Sequence, residues 1–407
     1  MSETTATRTP ARIAEAAALA AIVAAWAVGA VLLARTSVPP LHLAGLDQHR
    51  FFDAALLRRA RRFTTGEDVL WLLRTLAVLA ALGVLAWRLP RSVPGMRLGR
   101  IGSAIVVAMV LLVTTWLVAL PFGIAELAWE HHYGLGPFDV GAWLSSQWAG
   151  LGPQAVAILV GVLLVVGLAG RFERWWWLPA GAAIVALVAA LAFVSGYLSA
   201  AGTHSLPPSL RADAARLARV ERVSGTPVRV QDVSSRTEQA NAMTEGFGPS
   251  TRVVVWDTML DGRFSRAQID VVIAHELGHV RSRHIPKAIG WSALTVLPTL
   301  FVVAAVTRRR GGLGDPANLP LALLVLALLA LVTLPLQNLV SRRYEAEADW
   351  RALNATHDPV AAQRLFQGFA RTSLEQPDPP LLGYLWLENH PTLMQRIAMT
   401  RAWARRH

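Results

Sequence analysis

Seven uninterrupted apolar runs, at residues 12–34, 68–88, 102–122, 153–170, 178–199, 288–306 and 317–336, constrain this chain more than any other feature it has. A helix of roughly 20 apolar residues crosses the hydrocarbon of a bilayer. In lipid the backbone must satisfy its own hydrogen bonds, so runs of this kind read as helices. The expected fold is mainly α, a polytopic membrane protein with about seven transmembrane helices. With 54% hydrophobic and 16% charged residues among 407, the composition is too apolar for a soluble protein of this size. The runs at 153–170 and 317–336 are near the short limit, and the former also suits a buried or re-entrant helix. The first run exceeds the apolar core of a secretory signal and has no clean small-x-small cleavage site behind it, which predicts a retained anchor.

The formal net charge of +12 comes almost wholly from arginine, Lys287 being the only lysine. Such a charge can signal nucleic-acid binding. Here, though, arginines gather at the ends of apolar runs, as at Arg58, Arg59, Arg61 and Arg62 and at Arg308, Arg309 and Arg310. There they meet anionic head groups, so the expected partner is the lipid bilayer and no nucleic acid. Trp175, Trp176 and Trp177, at the mouth of the fifth run, fit an interfacial aromatic belt. The absence of cysteine excludes disulfides, thiolate catalysis and cysteine metal ligands.

Two polar stretches interrupt the apolar pattern. Residues 200–287 begin with "THSLPPSL" and continue with the amphipathic "RADAARLARVERVSG", closed by glycine, which predicts a capped helix. "TPVRVQDVS" and "TRVVVWDTML" are β-branched runs bounded by turn residues and predict strands. Residues 340–407 are polar, helical in pattern and broken by "EQPDPP". The chain therefore divides into an amino-terminal membrane region with five spans at 1–199, an α/β segment at 200–287, the sixth and seventh spans at 288–339, and a helical segment at 340–407.

Inside the α/β segment, "VVIAHELGHVRSRH" at 271–284 carries a His-Glu-x-x-His pattern. On a helix, positions i and i+4 lie one above the other, so His275 and His279 present two imidazoles to one point, as a zinc ion needs. Glu276, at the edge of the same face, can take a proton from a water that the metal activates. A catalytic zinc wants a third protein ligand and one open position. His284 is five residues beyond His279, and an unbroken helix rotates it about 140° away from the pair. Ser282 and Ile285 also stand where the pattern HExxHxxGxxH needs glycine and histidine. His284 is therefore expected at an interface or in solvent, with Pro286 and Gly290 bending or ending the helix before the sixth span. In "SRRYEAEADW", residues 341–350, Glu345 and Asp349 share a helix face while Glu347 points elsewhere. Acidic residues on such a helix commonly just face solvent, yet this segment leaves one span as the histidine helix enters another. Paired spans would bring them together, with Glu345 as third ligand and Asp349 as the carboxylate orienting a ligating histidine.

Five blocks, "LPFGIAELAWEHHYGL" (120–135), "NAMTEGFGPSTRVVVWDTML" (241–260), "HELGH" (275–279), "SRRYEAEAD" (341–349) and "NHPTLMQRI" (389–397), resemble the type I CAAX prenyl endopeptidase family, seven-span zinc metalloproteases, in order and in placement relative to the spans. The resemblance implies a ring of helices enclosing a large water-filled chamber, with a small α/β zincin-like catalytic domain at one end. It implies that His275, His279 and Glu345 hold zinc, that Glu276 is the general base and that Asp349 stands behind a ligand. It makes His390 a donor to the tetrahedral oxyanion, with Arg396 supporting the site, although His390 before Pro391 also reads as a residue that merely starts a helix. Asn241 would lie on an edge strand that pairs with substrate backbone, and Glu130 is structural. The family's topology has the amino terminus outside and the catalytic segments on the cytoplasmic face. Arginine counting is split, since the loop at 123–152 has no arginine and Arg308–Arg310 would face outward.

The expected function is a zinc-dependent membrane endopeptidase, with one Zn2+ per chain, acting on peptides or membrane-associated proteins. The arginine- and alanine-rich, lysine-poor composition suits a bacterial plasma membrane, where prenylated CAAX tails are not expected. The rivals are a catalytically inactive seven-span scaffold or binding protein of the same fold and a transporter, which would not need a metal triad in its polar segments.

Overall fold

The structure, a computed structural model, describes Ala20, residues 23–89 and residues 98–407. From the amino terminus run α1 (Val23–Ala34), α2 (Ala54–Arg88), α3 (Gly99–His132), α4 (Val140–Phe172) and α5 (Trp177–Ala200). Next come β1 (Thr203–Ser205), α6 (Pro208–Val220), β2 (Val228–Gln231), β3 (Ala242–Glu245), β4 (Arg252–Trp256) and α7 (Arg266–Ser282). The chain ends with α8 (His284–Arg308), α9 (Leu319–Thr356), α10 (Pro359–Thr372), α11 (Leu381–Trp386) and α12 (Leu393–Ala404).

Among the described residues, 6 helices are long and apolar enough to cross a bilayer: α2, α3, α4, α5, α8 and α9. The expected first span at 12–34 falls partly on residues 12–19, 21 and 22, which lie outside the described residues; its remainder is α1. All six crossing helices outrun their apolar runs, four of them by the most, with 35 residues in α2, 34 in α3, 33 in α4 and 38 in α9. At about 1.5 Å per residue each of these four reaches roughly 50 Å, against about 30 Å of hydrocarbon. The additional turns of α2, α3 and α9 carry charged residues and reach beyond the apolar runs. Arg58, Arg59, Arg61 and Arg62, for instance, ride on the first turns of α2, which Asp53 caps by accepting from the Leu56 amide at 2.8 Å.

The crossing helices close a ring, α2 packing on α3, α3 on α4, α4 on α5, α5 on α8, α8 on α9 and α9 back on α2. Two adjoining cavities of about 510 Å³ and about 660 Å³ lie inside it and share Val78, Leu112, Thr115 and Ala327 as walls. The first is aliphatic, with Leu82, Leu111, Val165 and Leu300 among its lining. The second includes Trp71, Gln147 and an Arg74–Glu126 ion pair at 3.5 Å, so the chamber wall is charged in one place rather than merely uncharged. The tryptophan belt is also only part of the story. Trp175 is 56% exposed, but Trp176 is 2% exposed because the turn before α5 folds its indole into the core between the helices.

Outside the ring the α/β segment forms a four-stranded sheet of order β1-β2-β4-β3, in which only β2 and β4 are parallel. Val253 and Val255 on central β4 are fully buried with Val230, Leu217, Ile273 and Leu277, so the sheet packs on α6 and α7 in one apolar core. β3 is an edge strand, and it lies beside α7. Two glycines set how this unit docks. A Cβ on Gly196 of α5 would fall 2.2 Å from the Ser250 carbonyl, so only glycine lets the turn before β4 rest on the span. A Cβ on Gly278, inside the His-Glu-x-x-His stretch, would come 3.2 Å from Arg351 Cβ and 3.3 Å from Ala348 Cα, so glycine allows α7 to cross closely over the end of α9.

Candidate metal centre

That crossing decides the site. α7 begins with a capping box, Ser265 accepting from the Gln268 amide at 3.4 Å while Gln268 accepts from the Ser265 amide at 2.8 Å. Its buried stripe carries His275 and Glu276, 9% and 7% exposed. α9 continues without a break from the membrane to Thr356 and turns Glu345 and Asp349 toward that stripe. His275 Nε2 and His279 Nε2 lie 3.0 Å apart, and Glu345 is 3.2 Å from the first through Oε2 and 3.6 Å from the second through Oε1. One donor atom from each of the three residues lies within 4.8 Å of the others. Glu345 Oε2 is buried and makes no well-formed hydrogen bond. Three lone-pair donors turned on one another, with the outer nitrogens of both histidines engaged elsewhere, are a set that fits a bound cation.

Behind His275, its Nδ1 is 2.9 Å from Asp349 Oδ1. Arg396, on α12, grips the same carboxylate with Nε to Oδ2 at 2.8 Å and Nη2 to Oδ1 at 2.7 Å. Its guanidinium also lies 4.2 Å over the Phe366 ring. Burial by itself lowers the His275 pKa, but the hydrogen bonds to Asp349 and Glu345 outweigh it and push it up to about 10. A proton therefore competes with a cation for the inner nitrogen of the metal-free chain.

Glu276 points past the donor set to the edge strand. Thr244 Oγ1 on β3 lies 2.8 Å from Glu276 Oε2 and 2.9 Å from the Glu276 carbonyl, so one hydroxyl anchors both the carboxylate and its backbone. Asn241 precedes β3; its carbonyl accepts from the Trp256 amide at 3.0 Å and extends the ladder, while its side chain accepts from the Ala242 amide at 2.9 Å. His390 sits in the loop between α11 and α12, 44% exposed at its side chain, with Nε2 3.3 Å from Glu345 Oε2 and Nδ1 2.7 Å from Asn389 Oδ1. Seven of the eight site residues expected from the sequence thus fall on these contacts, and Asn241 stands three residues before Thr244 at the entry to the strand. Glu130 stands at its flank, where Gln239 Nε2 reaches Glu130 Oε1 at 3.4 Å.

Two residues differ from expectation. His284 is neither interfacial nor solvated: it is 5% exposed, and its Nδ1 lies 2.8 Å from His279 Nδ1. The rotation argument assumed an unbroken helix, but Arg283 takes a left-handed conformation (φ 55°, ψ 44°) that ends α7, starts α8 and swings His284 back. The break therefore falls ahead of Pro286 and Gly290. Glu347 does point away from Glu345, yet it is 3% exposed and its Oε2 is 3.0 Å from His284 Nε2. Thr244 escaped the sequence reading altogether, since "AMTE" has neither the alternation nor the β-branched density of a strand.

Residues 206–404 match the model of Peptidase family M48. The chain is 27% identical over 320 residues to the "Uncharacterized metalloprotease YhfN" of Bacillus subtilis, covering 75% of this chain and 74% of that protein. It is 27% identical over 283 residues to a "Protease HtpX homolog" of Acidiphilium cryptum, covering 63% of this chain and 90% of the relative. A "CAAX prenyl protease 1 homolog" of Oryza sativa subsp. japonica is 29% identical over 180 residues, 42% of this chain and 41% of its own length. Among solved structures, the crystal structure of S. mikatae Ste24p has the same fold, with a TM-score of 0.71 at 18% identity over 92% of this chain and 96% of that one. Ring, donor set and matches define an integral-membrane metalloendopeptidase acting on peptide substrates. Within that class the chain is similar to the CAAX-protease-like members of peptidase family M48, whose pattern residues 206–404 carry.

Proposed function

We propose that one zinc ion is held by His275, His279 and Glu345, and that the protein hydrolyses peptide bonds in peptides or membrane-associated proteins at the cytoplasmic face of a bacterial plasma membrane. The observation that carries this reading is the convergence of three donors, buried His275 with half-buried His279 and Glu345, the last with an unsatisfied Oε2, beside a carboxylate held by the edge strand. When bound, zinc supplies a Lewis acid for a carbonyl and lowers the pKa of water. Glu276 takes the proton of the attacking water and later passes it to the leaving amine. Asp349, gripped by Arg396, keeps hydrogen on His275 Nδ1 and so turns the Nε2 lone pair inward. His390, on the open side of Glu345, donates to the developing oxyanion. The outer edge of β3, which Asn241 leads into, offers backbone to an extended substrate, with Asn241 at the end of that site. In this reading residues 1–199 and 288–339 house the substrate in the membrane, while 200–287 and 340–407 do the chemistry.

The test combines metal analysis with cleavage of a quenched peptide by the purified full chain. About one zinc per chain is expected, with hydrolysis abolished by a chelator and restored by zinc. Glu276→Gln should keep zinc and thermal stability while losing about 10²–10⁴ in rate. A Glu276→Gln protein that cleaves within a few-fold of wild type would show that the assigned general base is wrong.

A further inference from the structure

We infer that His284 and Glu347 form a positioning relay behind His279, the counterpart of Asp349 and Arg396 behind His275. The inference rests on the zinc site proposed above, because it concerns how one of its ligands is held. Metal-ligating histidines ordinarily give their second nitrogen to a carboxylate or carbonyl, which fixes the ring and its tautomer. His279 gives its second nitrogen to another histidine instead.

The polarity of this contact resolves in one direction. A His279 that offers its Nε2 lone pair to a metal must carry its hydrogen on Nδ1. That hydrogen points at His284 Nδ1, 2.8 Å away, which must then be the acceptor. A neutral His284 accepting at Nδ1 carries its own hydrogen on Nε2, and Nε2 lies 3.0 Å from Glu347 Oε2. Every donor therefore meets an acceptor, and the series ends on a carboxylate. Reversing the order would aim the His284 Nε2 lone pair at that carboxylate.

The relay is fixed at each member. The His284 ring stacks on Tyr344 at 4.5 Å between centroids and 7° between planes. Tyr344 is held by its hydroxyl, which donates to the Leu33 carbonyl at 2.7 Å and accepts from Trp291 Nε1 at 3.0 Å. Glu347 accepts from the Ser37 amide at 2.8 Å and lies 3.6 Å from Lys287 Nζ. A buried carboxylate and a buried imidazole are costly unless hydrogen-bonded in this way. The left-handed Arg283 that creates the contact is itself a strained conformation for a residue with a Cβ.

Two near-isosteres of His284 separate the relay from mere packing. In His284→Asn the side-chain Oδ1 stands where Nδ1 accepts from His279. In His284→Gln the amide Nε2 reaches the place of the imidazole Nε2, donates to Glu347 and leaves the His279 Nδ1–H without its acceptor. Zinc affinity of the full chain in detergent is read by competition against a chelator, with the thermal midpoint of the metal-free protein alongside. His284→Asn should bind zinc within a few-fold of wild type, and His284→Gln should bind about 10- to 100-fold more weakly at an unchanged metal-free midpoint. Equal affinities in the two variants overturn the proposal. Should His284→Gln not fold, Glu347→Leu reads the relay from its far end, and wild-type affinity there overturns it. Glu345→Ala separates the two levels: wild-type zinc affinity in that variant removes the ligand set itself, whereas zinc loss there with equal Asn and Gln variants removes only the relay.

Discussion

Thr244→Val removes one hydroxyl and keeps the branched shape that β3 packs with. The structure gives that hydroxyl a single task, holding Glu276 through contacts of 2.8 Å to Oε2 and 2.9 Å to the backbone carbonyl. A hydrogen bond to a charged acceptor contributes about 1.5–3 kcal/mol. If that energy orients the general base for proton transfer, its loss appears in the barrier, and at about 1.4 kcal/mol per tenfold the rate falls about 10- to 100-fold. KM and zinc content should stay near wild type, because the Thr244 hydroxyl hydrogen-bonds to Glu276 and to none of the three donor residues. Thr244→Ser restores the hydroxyl and should restore most of the rate. The assay is kcat and KM on a quenched peptide, with metal content measured on the same preparations. Unchanged kcat in Thr244→Val, or a Thr244→Ser variant as slow as Thr244→Val, would refute the reasoning.

Three further outcomes follow from the same geometry. Arg396→Met strips both guanidinium hydrogen bonds from Asp349, a 4% exposed carboxylate that keeps only His275, so the metal-free protein should lose about 3–5 kcal/mol; adding Asp349→Asn should recover part of it, and an unfolding midpoint unaffected by Arg396→Met would contradict this. Burial, with Glu388 and Asp349 nearby, outweighs Arg396 and raises the Glu375 carboxyl to about 7. Its raised pKa makes its stabilising contribution complete below about 4.5 and lost as pH rises through about 7, so the thermal midpoint of Glu375→Gln should gain on wild type between pH 5 and 8, and a gap independent of pH would exclude it. Reporter fusions within 200–287 should report the cytoplasmic side, with the arginines of α2 on that side as well; a periplasmic signal reverses the proposed orientation.

The membrane half of the fold was legible because apolar runs answer a question the bilayer asks directly. Their lengths were not, since hydropathy registers contact with lipid and not the persistence of a helix. α2 is helical through Arg58, Arg59, Arg61 and Arg62 because nothing in those residues breaks a helix, although nothing there is apolar. The strands β2 and β4 could be read from β-branched residues that end up buried in the sheet. β1 and β3 could not, because short edge strands owe their form to pairing with a neighbour rather than to their own residues. The resemblance alone pointed to an edge strand at Asn241, and it carried no sign of Thr244.

At the metal centre, spacing on a regular helix brought out His275 with His279 and Glu345 with Asp349, because the i, i+4 rule holds wherever the helix is unbroken. The same rule misplaced His284. A rotation of about 140° is correct only if every residue between stays right-handed, and a single left-handed residue cancels it. Glycine or asparagine would have marked such a residue, but the position is occupied by Arg283, which carries no such mark. The compensating signal was present in another part of the chain: a second acidic residue, Glu347, set between two functional ones on a helix where solvent exposure was the default reading. Taken singly, His284 and Glu347 each looked idle. Taken as a pair, a buried imidazole and a buried carboxylate could be accommodated only against each other, and that requirement would have called for a break between His279 and His284.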